Sequence, residues 1–184
     1  MGCDIHMFIH YKDKESTSDW WRDFGGNINP GRDYTMFGVL AGVRNHGMAE
    51  ALSPKGLPDH SLSWSANDAY YIPIFVKENE NDPDHRYNDS GYEISLEQAK
   101  KFEKYGCKII EINGKPIKIV NPDWHSVSWL TTKELSTAYK KYNSISKKEG
   151  GWGKVSSPYK AILHVMRTLE DGGNDVEVVF WFDN

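Results

Sequence analysis

Apolar and polar residues alternate from Cys3 to Tyr11. Cys3, Ile5, Met7, Ile9 and Tyr11 fall on one side, and Asp4, His6, Phe8 and His10 on the other. A period of two is the signature of a β-strand, so this segment is predicted as the first strand. The alternation returns near the far end of the sequence, with Val176, Val178, Phe180 and Phe182 set against Glu177, Val179 and Trp181. Both sides of that run are largely apolar, which suits an interior strand covered on two faces. The two strands are expected at the centre of one sheet.

Between them the spacing turns helical. Asp33 is placed to cap a short helix from Tyr34 to about Val43, with Tyr34, Phe37, Leu40 and Ala41 along one face. Gly38 and Gly42 permit either close packing or a ligand there. Ser95-Leu96-Glu97-Gln98 and Thr131-Thr132-Lys133-Glu134 are capping boxes. The first predicts a helix to about Tyr105, and the second a helix that turns Leu135, Ala138, Tyr139 and Tyr142 inward. Ser157-Pro158 opens a last helix carrying Ala161, Ile162, Val165, Met166 and Leu169 on one face, ended by Gly172-Gly173. Asn113-Gly114 between the apolar runs 107–112 and 115–120 predicts a tight hairpin.

The remaining segments read as connections. A polar loop with Trp20 and Trp21 follows the first strand and ends in turn chemistry at Asn29-Pro30-Gly31. Arg44 to Asp68 reads as a long loop, Tyr70 to Val76 as a short strand, Glu78 to Gly91 as a polar, mobile excursion, and Asn121 to Ser126 as irregular. The fold class expected is mixed α/β of the α+β kind. It is a single domain, 1–184, whose one central sheet holds the N- and C-terminal strands, with helices packed on it. Residues 78–120 are expected as a variable excursion containing a helix and the Asn-Gly hairpin.

Composition narrows the partners. The net charge is -4, and no block of Lys or Arg marks a nucleic-acid-binding tail, so long nucleic acid is not an expected partner. Lys100, Lys101 and Lys104 read as a solvated helix face. A small anionic or nucleotide-like ligand needs only one or two Arg and stays open. Aromatics make up 13% of the chain, which predicts an aromatic core, with ring stacking on bases or sugars as the alternative use. Cys3 and Cys107 do not form a disulfide framework and read as reduced thiols of a cytoplasmic protein. The start lacks a basic region followed by an apolar run, and no stretch approaches ~18 apolar residues, so no membrane partner is expected.

Four segments together resemble a group of proteins of tailed bacteriophages and prophages. They are Met1-Gly2-Cys3-Asp4-Ile5-His6, the run from Arg32 to Arg44, the run from Trp124 to Leu130, and the closing Phe180-Trp181-Phe182-Asp183-Asn184. The resemblance implies a bacteriophage protein working in the cytoplasm of an infected host. It leaves out residues 78–120 and brings no catalytic residues with it.

The candidate chemistry starts from Asp4 and His6, same-face neighbours about 7 Å apart on an extended strand. Such a pair suits a divalent metal ion, zinc or manganese, or an acid–base couple; a structural hydrogen bond at a sheet edge is the plainer alternative. A second Asp-x-His, Asp123-Trp124-His125, precedes Ser126 and Ser128 and is placed just before a helix start. There His125 suits a general base and the two serines phosphate-binding hydroxyls, with loop capping as the alternative. Arg32 and Arg44 flank the Tyr34 helix as a fork for phosphate or carboxylate, although Arg44 also suits the helix dipole. His10, about 13 Å from His6 along the strand, reads as a surface residue. Asp59-His60 reads as turn chemistry.

No Walker loop, nucleophile elbow, His-Glu-x-x-His or Cys-x-x-Cys pair is present. The expectation is a small hydrolase or lyase acting on a phosphorylated or nucleotide-like substrate. Asp4, His6 and His125 are its catalytic residues converging on one pocket, Asp4 and His6 its metal ligands, and Arg32, Arg44, Ser126 and Ser128 its ligand-binding residues. Two other classes stand beside it. One is a non-catalytic counter-defence protein that sequesters a host nucleotide signal, and the other an inhibitor that binds a host protein directly.

Overall fold

The computed structural model describes residues 2–18, 20–45, 47, 50–60, 62–70, 76–77, 94–95, 108–112, 115–119, 125–148 and 154–183. In chain order the elements are β1 (Asp4–Asp13), β2 (Arg22–Ile28), α1 (Tyr34–Ala41), α2 (Trp64–Tyr70), β3 (Val76–Lys77), β4 (Ile94–Ser95), β5 (Lys108–Ile112), β6 (Lys115–Ile119), β7 (His125–Thr131), α3 (Thr132–Lys148), α4 (Ser157–Asp171) and β8 (Asn174–Asp183). Contacts divide them into two compact units, Met1–Ala66 with Trp124–Asn184, and Asn67–Asp123.

The first unit is built on a four-stranded antiparallel sheet in the order β2-β1-β8-β7. The two strands with the clearest alternation are the two central ones, in register from Asp4 opposite Asp183 to Asp13 opposite Asn174. One face carries Ile5, Met7, Ile9, Val176, Val178, Phe180 and Phe182, and packs with Phe37 and Leu40 of α1, Leu135 and Ala138 of α3, and Tyr159, Ile162 and Met166 of α4. The other face carries Phe8, His10, Glu177, Val179 and Trp181, all of them buried as well. Hence β8 is apolar on both sides, as an interior strand must be.

Local chemistry explains the helix boundaries. The Asp33 carboxylate accepts from the Met36 N–H at 3.0 Å, and α1 ends on Gly42 in the left-handed region at φ 73. Gly38 serves packing: a Cβ there would meet Asn45 Oδ1 at 3.0 Å and the Asn45 backbone at 3.3 Å. The α3 capping box forms in both directions, with Thr131 N–H donating to Glu134 Oε2 at 2.9 Å and Glu134 N–H to Thr131 Oγ1 at 3.3 Å. At the start of α4, Ser156 is the N-cap and Pro158 lies in the first turn, one residue from the expected boundary. Ala161 of that helix is exposed, because the buried face is set by Tyr159, Ile162, Leu163 and Met166.

Three expectations are corrected. The polar loop after β1 contains β2, an edge strand whose Gly25 and Gly26 take positive φ and whose sequence does not alternate. The long loop after Arg44 gives way to α2 from Trp64, with Ser63 Oγ accepting from the Ala66 N–H at 3.4 Å. His125 and Ser126 belong to strand β7 rather than to an irregular approach to a helix.

In the second unit β5 and β6 pair antiparallel, with Ile112 opposite Lys115; the Asn113-Gly114 pair predicted as the turn lies outside the described residues. Val76 and Lys77 pair parallel with Ile94 and Ser95. The predicted helix over 96–105 and the excursion over 78–91 lie outside the described residues. Among the described residues, no helix is long and apolar enough to cross a membrane.

Candidate functional site

The end of the sheet where β1 starts and β8 finishes carries a polar cluster. Asp4 and His6 project from the same face of β1, as strand spacing requires. The turn after β2 supplies Arg32: Asn29 Oδ1 accepts from the Gly31 N–H at 2.9 Å, and Gly31 takes φ 88. Arg32 then grips the Asp4 carboxylate with two charge-assisted hydrogen bonds, each 2.7 Å. Those bonds hold the Asp4 carboxyl below its ordinary range and push the Arg32 guanidinium further up. Gly2 passes directly under the guanidinium, where a Cβ would collide with its NH1, CZ and NH2 atoms.

His6 does not bond Asp4. Its Nε2 lies 2.8 Å from Asp183 Oδ2 on β8, and its Nδ1 lies 3.0 Å from the Asn27 side-chain amide on β2. With the amide N–H donating to Nδ1, the ring proton resides on Nε2 and is donated to Asp183. The second Asp183 oxygen accepts from the Asp4 N–H at 3.0 Å, so this carboxylate is fixed by two donors. The imidazole lies on the buried Trp181 indole, while Asp4, His6, Asp183 and Arg32 remain 25–53% exposed.

The other predicted residues lie elsewhere. His125 pairs with Phe182 and stacks on it at 6.0 Å, whereas His6 stacks on Trp181. Phe182 and Trp181 are successive strand residues, so His6 and His125 occupy opposite faces of the sheet and do not form one pocket. Ser126 takes φ 54 at the bulge of β7, and its Oγ lies 3.0 Å from His125 Nδ1. Ser128 is buried, and its Oγ accepts from the Lys55 N–H at 3.1 Å. Arg44, in the left-handed region at φ 52, places its guanidinium 5.9 Å from the Tyr34 ring centre. It also approaches Cys3, whose thiol is pushed up by burial and partly drawn back by this charge.

A second cluster lies toward the other end of the same two strands. His10 is not a surface residue: it is fully buried, with Nε2 3.0 Å from Ser63 Oγ and Nδ1 3.4 Å from Glu177 Oε1. His60 Nε2 lies 2.9 Å from the same Glu177 oxygen, and Trp21 stacks on the His60 ring at 4.1 Å. Burial pushes the Glu177 carboxyl up, but the two imidazoles outweigh it and hold the group below its ordinary value. The loop carrying His60 is tied to β7 by the Gly56 N–H donating to the Val127 carbonyl at 3.1 Å. A cleft of about 400 Å³ opens there, lined by His60 and Glu177 together with Lys14, Trp21 and Trp129. The sequence signal for this cluster was Glu177 itself, a charge within a strand apolar on both faces, which needs buried partners.

Comparison with family models, with curated proteins and with solved structures gave no match.

Proposed function

We propose that the chain is a small hydrolase or lyase acting on a phosphorylated or nucleotide-like substrate. His6 is its general acid–base, Asp183 the carboxylate that orients His6, and Arg32 the fork for an anionic group. The observation that carries the reading is the 2.8 Å contact of His6 Nε2 with Asp183 Oδ2 at a solvent-accessible end of the sheet. A carboxylate on one ring nitrogen fixes the tautomer and orients the ring so that the other nitrogen can accept a proton. The base is then Nδ1, and a substrate O–H or a water takes the position now held by the Asn27 amide. Asp4 engages only part of the Arg32 donor set, and the remaining N–H groups suit a phosphate or carboxylate. The bacteriophage origin and the cytoplasmic setting belong to the same proposal and rest on the four segments of resemblance.

A second reading has its own support. Both His6 nitrogens have protein partners and Arg32 is already held in place, which makes a rigid recognition surface. In that reading the chain sequesters a nucleotide signal without turning it over.

Phosphorus NMR of the protein with a mixture of nucleoside phosphates and cyclic dinucleotides separates the two. New resonances that slow by about a hundredfold or more in Asp183→Asn, and weaken in Arg32→Gln, are the expected result. Line broadening with no new resonance indicates sequestration. Unchanged spectra contradict both readings.

A further inference from the structure

We propose that His10, His60 and Glu177 form a binding site for a divalent transition-metal ion of the zinc type, opening on the cleft beside Trp21. The site is separate from the His6 cluster, and its argument does not depend on the function proposed there.

The first observation is geometric. His10, His60 and Glu177 each offer one ligand atom, and the three atoms lie within 4.8 Å of one another. His10 Nδ1 to Glu177 Oε1 is 3.4 Å and His60 Nε2 to Glu177 Oε1 is 2.9 Å. Ligand atoms at about 2 Å from a tetrahedral zinc ion stand about 3.3 Å from each other. One edge of that tetrahedron is therefore already set, and another opens by a few tenths of an ångström.

The second observation is an unsatisfied buried atom. His10 is 0% exposed, and its Nδ1 has no hydrogen-bond partner although a carboxylate oxygen stands 3.4 Å away. Ser63 Oγ can either accept from Nε2 or donate to it, so Nδ1 meets the Glu177 carboxylate either as a lone pair or as an N–H at the long distance of 3.4 Å. In the first case two acceptors face each other in a dry setting, and a cation held between them satisfies both.

The surroundings fit the same ion. The hydrogen bond to Ser63 is the outer partner that orients a ligating imidazole, and the Trp21 stack at 4.1 Å holds the other ring. Asp59, Glu170 and Asp175 line the cleft against a single lysine, Lys14, which favours a cation at its floor. Two imidazoles and one carboxylate select zinc-type ions over magnesium or calcium. Three protein ligands leave the fourth position toward the cleft, where a water or a substrate oxygen would bind.

The test is titration of the purified full chain with zinc chloride alone, followed by isothermal calorimetry and by elemental analysis after dialysis. The comparison is with His60→Ala, chosen because His60 is only partly buried, and with His60→Cys, which restores a zinc ligand. One equivalent of zinc on the wild type, binding weakened by at least about tenfold in His60→Ala and recovered in His60→Cys, is the expected result. Melting curves establish that each variant is folded, and zinc should raise the Tm of the wild type and of His60→Cys only. Cobalt supplies an independent readout, since visible bands of a tetrahedral ion should appear in the wild type and be lost in His60→Ala. Substoichiometric zinc on the wild type, or equal binding in His60→Ala, overturns the proposal.

Discussion

The His6 imidazole lies on the Trp181 indole, with ring centres 5.8 Å apart and planes 16° apart. Trp181 is fully buried and stacks in turn on Phe8 at 5.3 Å. The base of the proposed site is thus seated on a rigid apolar platform and fixed at both nitrogens. Presenting Nδ1 then requires only that the Asn27 amide give way, while Asp183 and Trp181 keep the ring in place for acid–base chemistry.

Removing that platform is expected to cost stability and precision together. Trp181→Ala should destabilise the protein by about 3–5 kcal/mol, the range for deleting a large buried ring. Urea unfolding measures this. A loss below about 1 kcal/mol would mean that the platform contributes little packing.

Gly2 separates function from stability. A larger side chain there meets the guanidinium tip of Arg32, a flexible group that can swing away, so Gly2→Val should leave the melting temperature nearly unchanged. It should nevertheless displace Arg32 from Asp4 and weaken binding of a nucleoside phosphate by about tenfold, the loss of one charge-assisted contact. Paired melting curves and binding isotherms check this.

His125 should behave as a packing residue. Its ring stacks on Phe182, which itself meets Phe37 edge-on at 5.1 Å. His125→Ala is expected to cost about 1 kcal/mol and to leave the His6 site untouched, because the two rings lie on opposite faces of the sheet. Chemical denaturation together with the phosphorus NMR assay distinguishes this from a catalytic role.

Acid stability should report on Glu177. In the fold its carboxyl is held below the ordinary value of 4.5 by His10 and His60. A depressed carboxyl contributes stability that is fully present above the unfolded value and is lost as pH falls through the folded value. The stability advantage of the wild type over Glu177→Gln should therefore be largest near about pH 6 and shrink toward about pH 3. Urea unfolding across that range gives the curve, and a pH-independent difference would contradict the assignment.

The sheet was legible because β1 alternates from Cys3 to Tyr11 and β8 is apolar on both sides, which suits an interior strand covered on two faces. The α1 and α3 starts were legible because Asp33, Thr131 and Glu134 cap through neighbours in sequence. β2 was not, since Gly25 and Gly26 interrupt its pattern and an edge strand needs no apolar face. The Asp4 and His6 cluster was half legible: one strand places both side chains, but Asp183, Asn27 and Arg32 arrive from other segments. Alternation alone could not say that His125 faces away from His6, because that depends on strand pairing. His10, His60 and Glu177 come from three distant parts of the chain and meet only through the fold.

The most direct test of the central claim is a nitrogen-15 spectrum of the histidine rings, recorded with and without a mixture of nucleoside phosphates. The account predicts that the His6 Nδ1 and Nε2 resonances shift, that the Asn27 side-chain amide shifts with them, and that His125 stays in place. Binding that leaves the His6 and Asn27 signals unmoved, or no shift of any ring at millimolar ligand, would contradict it.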